Sequence, residues 1–527
     1  MIQWLKDAQF YEIYPQSFKD SNGDGIGDIQ GIISELDYIK DLGMNALWIN
    51  PWYDSPFKDA GYDVRDYKKV ASRYGTNEDA KQLFEEAHKR GIHVLLDLVP
   101  GHTSEEHPWF LESGKVEKNE YSGRFIWTDF WYGAIPGHPY IGGEYPRSGV
   151  YMLNFFKCQP ALNYGFRHPS LPWQKAMDDP DCMATREAMK DVIRFWLSMG
   201  CDGFRVDMAD SLVKDDDPDK NGTCTVWQDI FASVRKDFPE AAFVAEWSNP
   251  ELALCGAGFD MDFYLDHVGN GYNTLVRDYE SQGEDNSYFR TAGDGDITRF
   301  LADYLPKYEK TRENGYIAFI SGNHDTPRIK NGLADDEIKL FYALMYTLPG
   351  VPFLYYGDEI GMHYRKDLPT KEGGYSRTGS RTPMQWTDGE TKGFSAATPD
   401  KLYLPVDPAE DAPSVERQKE DPASLYHTVK ALSGLRHDLP ELQADGDFAV
   451  ILGEKGEPFV YRRGNFVCAI NPTGEEKRIP LKMVEEAFAK EGRAFEYPMT
   501  PAPLCGIGKA VITQGTLVLG ARSFALI

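Results

Sequence analysis

The sequence predicts an α/β protein built on a parallel sheet of eight strands, and three observations carry that reading. Eight short apolar segments recur through the first two thirds of the 527-residue chain, at 10–18, 46–52, 93–100, 203–207, 243–247, 261–265, 317–321 and 351–356. Most are separated by helical patterns, and such alternation is the mark of βα units and parallel pairing. Three of the segments lead into a carboxylate: Asp207 closes Gly203-Phe204-Arg205-Val206, Glu246 closes Phe243-Val244-Ala245, and His324-Asp325 follows Ile320-Ser321-Gly322-Asn323. Eight units fit a closed (β/α)8 TIM barrel, in which functional groups gather where strands end. An open doubly wound sheet is the other arrangement that the pattern allows.

The elements follow in order. After the first strand comes Asp20-Ser21-Asn22-Gly23-Asp24-Gly25-Ile26-Gly27-Asp28. Alternating oxygen donors with glycines for tight turns suit Ca²⁺. It is not an EF-hand, because the twelfth position is Gly31 where a bidentate glutamate belongs. An Asx-rich turn without a metal is the alternative. Between the third and fourth strands, residues 103–168 are rich in Trp, Tyr, Gly and Pro with little periodicity, as in a functional loop or a small inserted domain. In the fourth strand Arg205 and Asp207 share one side, since side chains alternate with period two. A cation there is expected to keep Asp207 ionised, as a nucleophile in sugar transfer must be. Glu246 follows an apolar strand and precedes Trp247, surroundings expected to raise its pKa toward that of an acid catalyst. The polar stretch 365–420, with Gly373-Gly374, reads as an extended eighth loop. Beyond it, short strands at 448–452, 459–463, 466–470, 478–481, 510–513 and 524–527 predict an antiparallel β-sandwich. The division is therefore a barrel over 1–102 and 169–444, an inserted domain over 103–168, and a C-terminal sandwich over 445–527.

Composition narrows the function classes. A formal net charge of −26 argues against nucleic acid and anionic membranes as partners, since both call for basic patches. No run approaches the ~18–20 apolar residues of a membrane span. The seven cysteines are scattered with no CxxC pair, so neither a zinc site nor a disulfide framework is expected. Met1-Ile2-Gln3-Trp4-Leu5-Lys6 runs directly into a strand without a signal-peptide core. Unless a leader precedes this sequence, a cytoplasmic location is expected.

The strand-end motifs resemble those of the α-amylase superfamily, glycoside hydrolase family 13, and within it the oligo-1,6-glucosidase and α-glucosidase-like branch. Leu96-Asp97-Leu98-Val99-Pro100-Gly101-His102-Thr103-Ser104 looks like the first conserved region, Gly203–Asp207 the second, Ala245-Glu246-Trp247 the third and Asn323-His324-Asp325 the fourth. Gln159-Pro160-Ala161-Leu162-Asn163 resembles the branch motif QPDLN. The resemblance implies the barrel, with 103–168 as a domain B walling the cleft. It implies Asp207 as nucleophile, Glu246 as general acid and then base, and Asp325 as the third carboxylate, with net retention through a covalent glycosyl-enzyme. His102 and His324 would bind sugar hydroxyls, Tyr62 would stack on the sugar, and Arg205 would attend the nucleophile. Asp59 would hold the terminal hydroxyls in exo-acting members, paired with Arg381. Asp20, Asn22, Asp24, Asp28 and the Ile26 carbonyl would bind a structural Ca²⁺, with Mg²⁺ as the alternative and no organic cofactor.

Three positions depart from the pattern. Gly101 stands where Asn usually precedes the histidine, Ala161 replaces the Asp of QPDLN, and Met208 after the nucleophile matches neither the α-1,6 nor the α-1,4 habit. The expected protein is a retaining, exo-acting α-glucosidase on short α-1,4 or α-1,6 glucosides, its partner a small oligosaccharide or disaccharide, its oligomeric state open. A glucosyl-transferring or isomerising relative, of the trehalose synthase or sucrose-acting kind, is the alternative. A non-catalytic barrel protein is disfavoured, because all three acids are present.

Overall fold

The computed structural model describes residues 1–129, 138–265, 267, 269–278, 285–498 and 500–527. Part of the expected inserted domain, 130–137, lies outside them. The eight expected strands form a closed parallel barrel: Phe10–Ile13, Ala46–Ile49, His93–Leu98, Gly203–Val206, Ala242–Ala245, Met261–Phe263, Tyr316–Ile320 and Val351–Tyr355. Closure is made by the first strand, which pairs Phe10 with both Ala46 and Phe353. Nearly every strand residue is buried, because helices cover the outside and side chains fill the inside. The strands are shorter than the apolar runs that announced them. Pro15, for instance, begins a helical turn over Pro15–Phe18, as suits a residue with fixed φ and no N–H.

The covering helices carry their own start and stop signals. Thr76 and Asp79 make a reciprocal capping box at the start of Asn77–Lys89. Pro180 opens the long helix Pro180–Met199 behind the Asp179 cap, and Gly200 ends it in the left-handed region. Asp207 and Glu246 sit one residue or so past their strands, yet the ladder continues to them. Asp207 N–H donates to Leu98 O at 2.9 Å and Glu246 N–H to Val206 O at 3.0 Å. The acids are thus fixed by sheet geometry rather than by free loops.

The inserted segment is tied down by a three-stranded antiparallel sheet of Trp127–Thr128, Tyr140–Gly142 and Val150–Met152. A bridge between His102 and Ala161 joins it to the barrel rim. The stretch 365–420 folds back over the first loop: Met384 N–H donates to Ser17 O at 2.8 Å and Asp20 N–H to Phe394 O at 3.0 Å. At the C-terminus a five-stranded and a three-stranded antiparallel sheet enclose Val460, Val467, Ile479 and Leu517. Two strands there were not expected, Cys505–Ile507 and Thr516–Leu519, nor was the helix Leu481–Lys490. Leu481, Val484 and Phe488 pack from that helix into the same core. Among the described residues no helix is long and apolar enough to cross a membrane.

Candidate active site

The C-terminal ends of the barrel strands open into a cleft of about 360 Å³, lined among others by Asp59, Tyr62, His102, Phe155, Asp207, Met208, Asp210, Glu246, Trp247, Leu265, His267, Asp325 and Arg377. The three expected acids meet here although they are far apart in sequence. Arg205 organises two of them. Its guanidinium is 1% exposed and contacts Asp207 at 3.0 Å, Glu246 at 2.7 Å and Asp97 at 2.8 Å. Strand register explains that reach, since Arg205 lies beside Asp97 on one neighbouring strand and Val244 on the other. The Met208 N–H also donates to Glu246 Oε2, at 2.8 Å.

The surroundings differ from the sequence expectation at both acids. Burial pushes the Asp207 carboxyl up and the Glu246 carboxylate pushes it further, while Arg205 pulls it down and is outweighed. Glu246 does not stand in apolar surroundings: a guanidinium and a backbone N–H hold it. The apolar residues of its strand, buried though they are, do not isolate its carboxylate. One cation thus serves three carboxylates.

Asp325 has a different setting. Its Oδ1 accepts from Arg377 at 2.7 Å and Arg381 at 2.9 Å, and its Oδ2 lies 3.2 Å from His324 Nε2. Burial would raise it, but His324 and then the two arginines hold it well below the usual carboxylate range. His324 is itself wedged between acids, with Nδ1 at 2.9 Å from Glu12 Oε1. Burial would lower it, yet Asp325 and Glu12 lift it to about 9. It is 1% exposed and stands behind Asp325 and the Tyr62 hydroxyl, which is 2.9 Å from its Nε2. The Tyr62 hydroxyl also donates to Asp97 Oδ2 at 3.0 Å, which fixes that ring at the cleft wall. His102 lines the cleft with both ring nitrogens engaged, Nε2 by Tyr62 O and Nδ1 by Asn154, each at 3.0 Å.

Asp59 closes the deep end, but its partner is not the expected one. Arg381 reaches Asp325 and the His324 carbonyl, the latter at 2.8 Å; it does not pair with Asp59. Arg377 does, at 3.7 Å, and Gln159 Nε2 donates to Asp59 at 2.7 Å. The turn Tyr375–Ser380 places Arg377 four residues short of Arg381, so one side chain reaches the rim and the other dives beneath it. Gly373 permits this approach: its φ is +67° and a Cβ there would meet Lys58 O at 2.9 Å and Asp59 Oδ1 at 3.0 Å. Burial raises Asp59 to about 6 against the pull of Gln159 and the two arginines. Of the residues not assigned from sequence, Glu12 left a signal as the single acid of a buried strand, and Gln159 stood in a quoted motif. Arg377 and Asn154 left none, because loops have no period.

The first loop places Asp20, Asn22, Asp24, Ile26 and Asp28 in a ladder of Asx turns. Asp20 Oδ1 accepts from Asn22 and Gly23, Asn22 Oδ1 from Asp24, and Asp24 Oδ1 from Ile26, at 2.8–3.0 Å. Asp28 caps the next helix through Gly31 N–H at 2.7 Å. Among the described residues no three His, Cys, Asp or Glu side chains converge as metal ligands. The loop's remaining donors are an amide and a backbone carbonyl, which suit a hard cation alongside carboxylates.

The geometry of three strand-end carboxylates on a closed barrel agrees with what comparison finds. Residues 12–445 match the family model for the alpha amylase catalytic domain. The chain belongs to the α-amylase family. It is 33% identical to the oligo-1,6-glucosidase of Parageobacillus thermoglucosidasius over 87% of each chain. It is also 33% identical to the trehalose synthase/amylase TreS of Mycolicibacterium smegmatis, over 82% of this chain and 77% of that one. Among solved structures, the trehalulose synthase MutB of Pseudomonas mesoacidophila MX-45 superposes with a TM-score of 0.77 at 25% identity, covering 100% of this chain and 99% of that one. A mutant isomaltulose synthase of Erwinia rhapontici NX5 in complex with D-glucose gives a TM-score of 0.78 at the same identity and coverage. This α-amylase-family member is a glycoside hydrolase by its family and relatives.

Proposed function

We propose that the protein is a retaining, exo-acting α-glucosidase that releases glucose from the non-reducing end of short α-glucosides. The observation that carries this is the Arg205 guanidinium touching both Asp207 and Glu246. Two carboxyls on one guanidinium favour the close spacing of about 5–5.5 Å used by retaining enzymes over the wider gap that admits a water. Asp207 attacks the anomeric carbon while Glu246 protonates the leaving oxygen. Glu246 then takes a proton from the water that releases the sugar. Asp325 and the Tyr62 ring hold the sugar, and Asp59 with Arg377 closes the pocket behind its terminal hydroxyls. The high likeness to oligo-1,6-glucosidases supports hydrolysis. Likeness to trehalulose and isomaltulose synthases favours a second reading, in which a sugar hydroxyl rather than water receives the glucosyl group. Incubation with maltose, isomaltose, sucrose and trehalose, with products resolved by chromatography, separates the two. Glucose as the α-anomer first is expected; a rearranged disaccharide as the main product overturns hydrolysis, and no turnover of any of them overturns the glucosidase reading.

We further propose that the loop from Asp20 to Asp28 binds a structural Ca²⁺, with Mg²⁺ as the alternative. Its donor set supports this, as does its position against the segment around Phe394–Tyr403, where Tyr403 N–H donates to Gly25 O at 2.7 Å. The cation supplies no chemistry; it would pin the eighth loop to the first. Added Ca²⁺ should raise the unfolding midpoint by mass action, and EDTA should lower it. An unchanged midpoint, with no bound metal by elemental analysis, would leave the loop as a self-sufficient turn. All seven cysteines are unpaired, which supports a reducing, cytoplasmic setting.

A further inference from the structure

The space beside Gly101 is filled by another element. A Cβ at Gly101 would meet Asn154 Nδ2 at 2.8 Å, with Asn154 Cγ and Ser211 Oγ both at 3.4 Å. Gly101 is absent from the positive-φ glycines, so its backbone would accept a side chain; the neighbour is what excludes one. That neighbour follows the strand Val150–Met152 of the inserted domain. Donor and acceptor identities fix its orientation. Lys214 Nζ can only donate, so the Asn154 oxygen must face it, at 3.3 Å. The amide nitrogen then faces His102 Nδ1 at 3.0 Å and Met208 Sδ at 3.8 Å. A donating amide requires a bare Nδ1, so the His102 proton sits on Nε2 and is donated to Tyr62 O at 3.0 Å. Lys214 is anchored in turn on Ser211 O at 2.6 Å. Burial holds His102 down at about 4, with Lys214 adding to it.

We propose that Asn154 is a positioning residue of the active site: from the inserted domain it occupies the place of the side chain that Gly101 lacks, locks His102 in the neutral Nε2–H form and holds Met208 beside the nucleophile. Seating of the inserted domain is thereby coupled to two residues of the cleft wall. The catalytic consequence rests on the glucosidase reading above; the tautomer does not.

The test uses both. In protein labelled with ¹⁵N-histidine, with His102 assigned by its loss in His102→Gln, the ring should show the Nε2–H neutral form. Asn154→Asp is nearly isosteric but cannot donate, so the proton should move to, or be added at, Nδ1. Asn154→Ala should keep the proton on Nε2, where Tyr62 O still accepts it, and shift the Nδ1 signal as that nitrogen loses its donor. Kinetically, Asn154→Ala should lower kcat/KM by about 10- to 100-fold, as small misplacements do, with the circular dichroism unchanged. Gly101→Asn should impair the wild type by crowding Asn154, yet restore part of the activity of Asn154→Ala. A His102 signal in both Asn154 variants identical to the wild type would overturn the proposal even if no glucoside is turned over. So would a kcat/KM for Asn154→Ala within twofold of wild type on a substrate that the wild type does turn over.

Discussion

Arg205 and His324 show how single residues set the charge state of the cleft. Arg205 is one cation among Asp97, Asp207 and Glu246, so the loss of any one acid changes the others. Asp207→Asn keeps shape and removes the nucleophile. Turnover should fall by about 10⁴-fold or more, over ~5 kcal/mol of barrier, and steady-state assay against maltose and isomaltose checks it; a loss within tenfold would exclude the assignment. His324 makes a stability prediction with a definite sign. Its folded-state pKa is raised to about 9, above the ordinary ~6.5. The stabilisation it gives is therefore complete below about pH 6.5 and disappears as pH rises through about 9, a contribution on the order of 3 kcal/mol. Chemical denaturation of wild type between pH 6.5 and 9.5 should show that decline, and His324→Gln should flatten it. Parallel curves would mean that the imidazolium is not what Glu12 and Asp325 stabilise. At this scale the sequence was informative where the period is two: Arg205 and Asp207 had to share a side. It could not place Glu246 on Arg205, because that contact depends on the register of Ala242–Ala245 against Gly203–Val206, and register is not written in either strand alone.

Among elements, the loop after the eighth strand departs most from expectation. Strand existence was legible because buried parallel strands are short apolar runs with turn residues between them. The helix Leu481–Lys490 was not, since its start, Leu481 after Pro480, reads equally as the end of a strand. The loop has neither pattern, and so Arg381 was assigned to Asp59 while Arg377 stood four residues away. The structure separates their tasks and makes a testable distinction. Asp59→Ala should reduce kcat/KM by removing charge-assisted hydrogen bonds worth roughly 1.5–3 kcal/mol. Arg377→Ala should cost a similar amount, and the double variant less than the sum, since each single change strands the other's charge. Arg381→Ala combined with Asp59→Ala should be closer to additive, because Arg381 is spent on Asp325 and the His324 carbonyl. Additivity for Arg377 with coupling for Arg381 would restore the original pairing.

At the scale of the molecule, the cleft is walled by three parts of the chain that are distant in sequence: the second-strand loop with Asp59, the segment between the third and fourth strands with Gln159 and Phe155, and the eighth loop with Arg377. Their contacts close one end. Gln159 is fully buried and donates to Asp59, and Arg377 spans Asp59 and Asp325. A polymer threading through would have to break both links, whereas a chain end needs to break neither. Short maltooligosaccharides or isomaltooligosaccharides should therefore be shortened one glucose at a time, and added units on the open side should improve kcat/KM little beyond the first. Soluble starch should be a poor substrate per unit mass because it offers few non-reducing ends. The measurement is paired: starch viscosity against time, and the product profile by chromatography. Glucose should appear from the first sampling while viscosity holds. A rapid viscosity fall with maltose and longer products ahead of glucose would mean that the Asp59–Arg377 end opens in solution, and the exo-acting reading would fail with it.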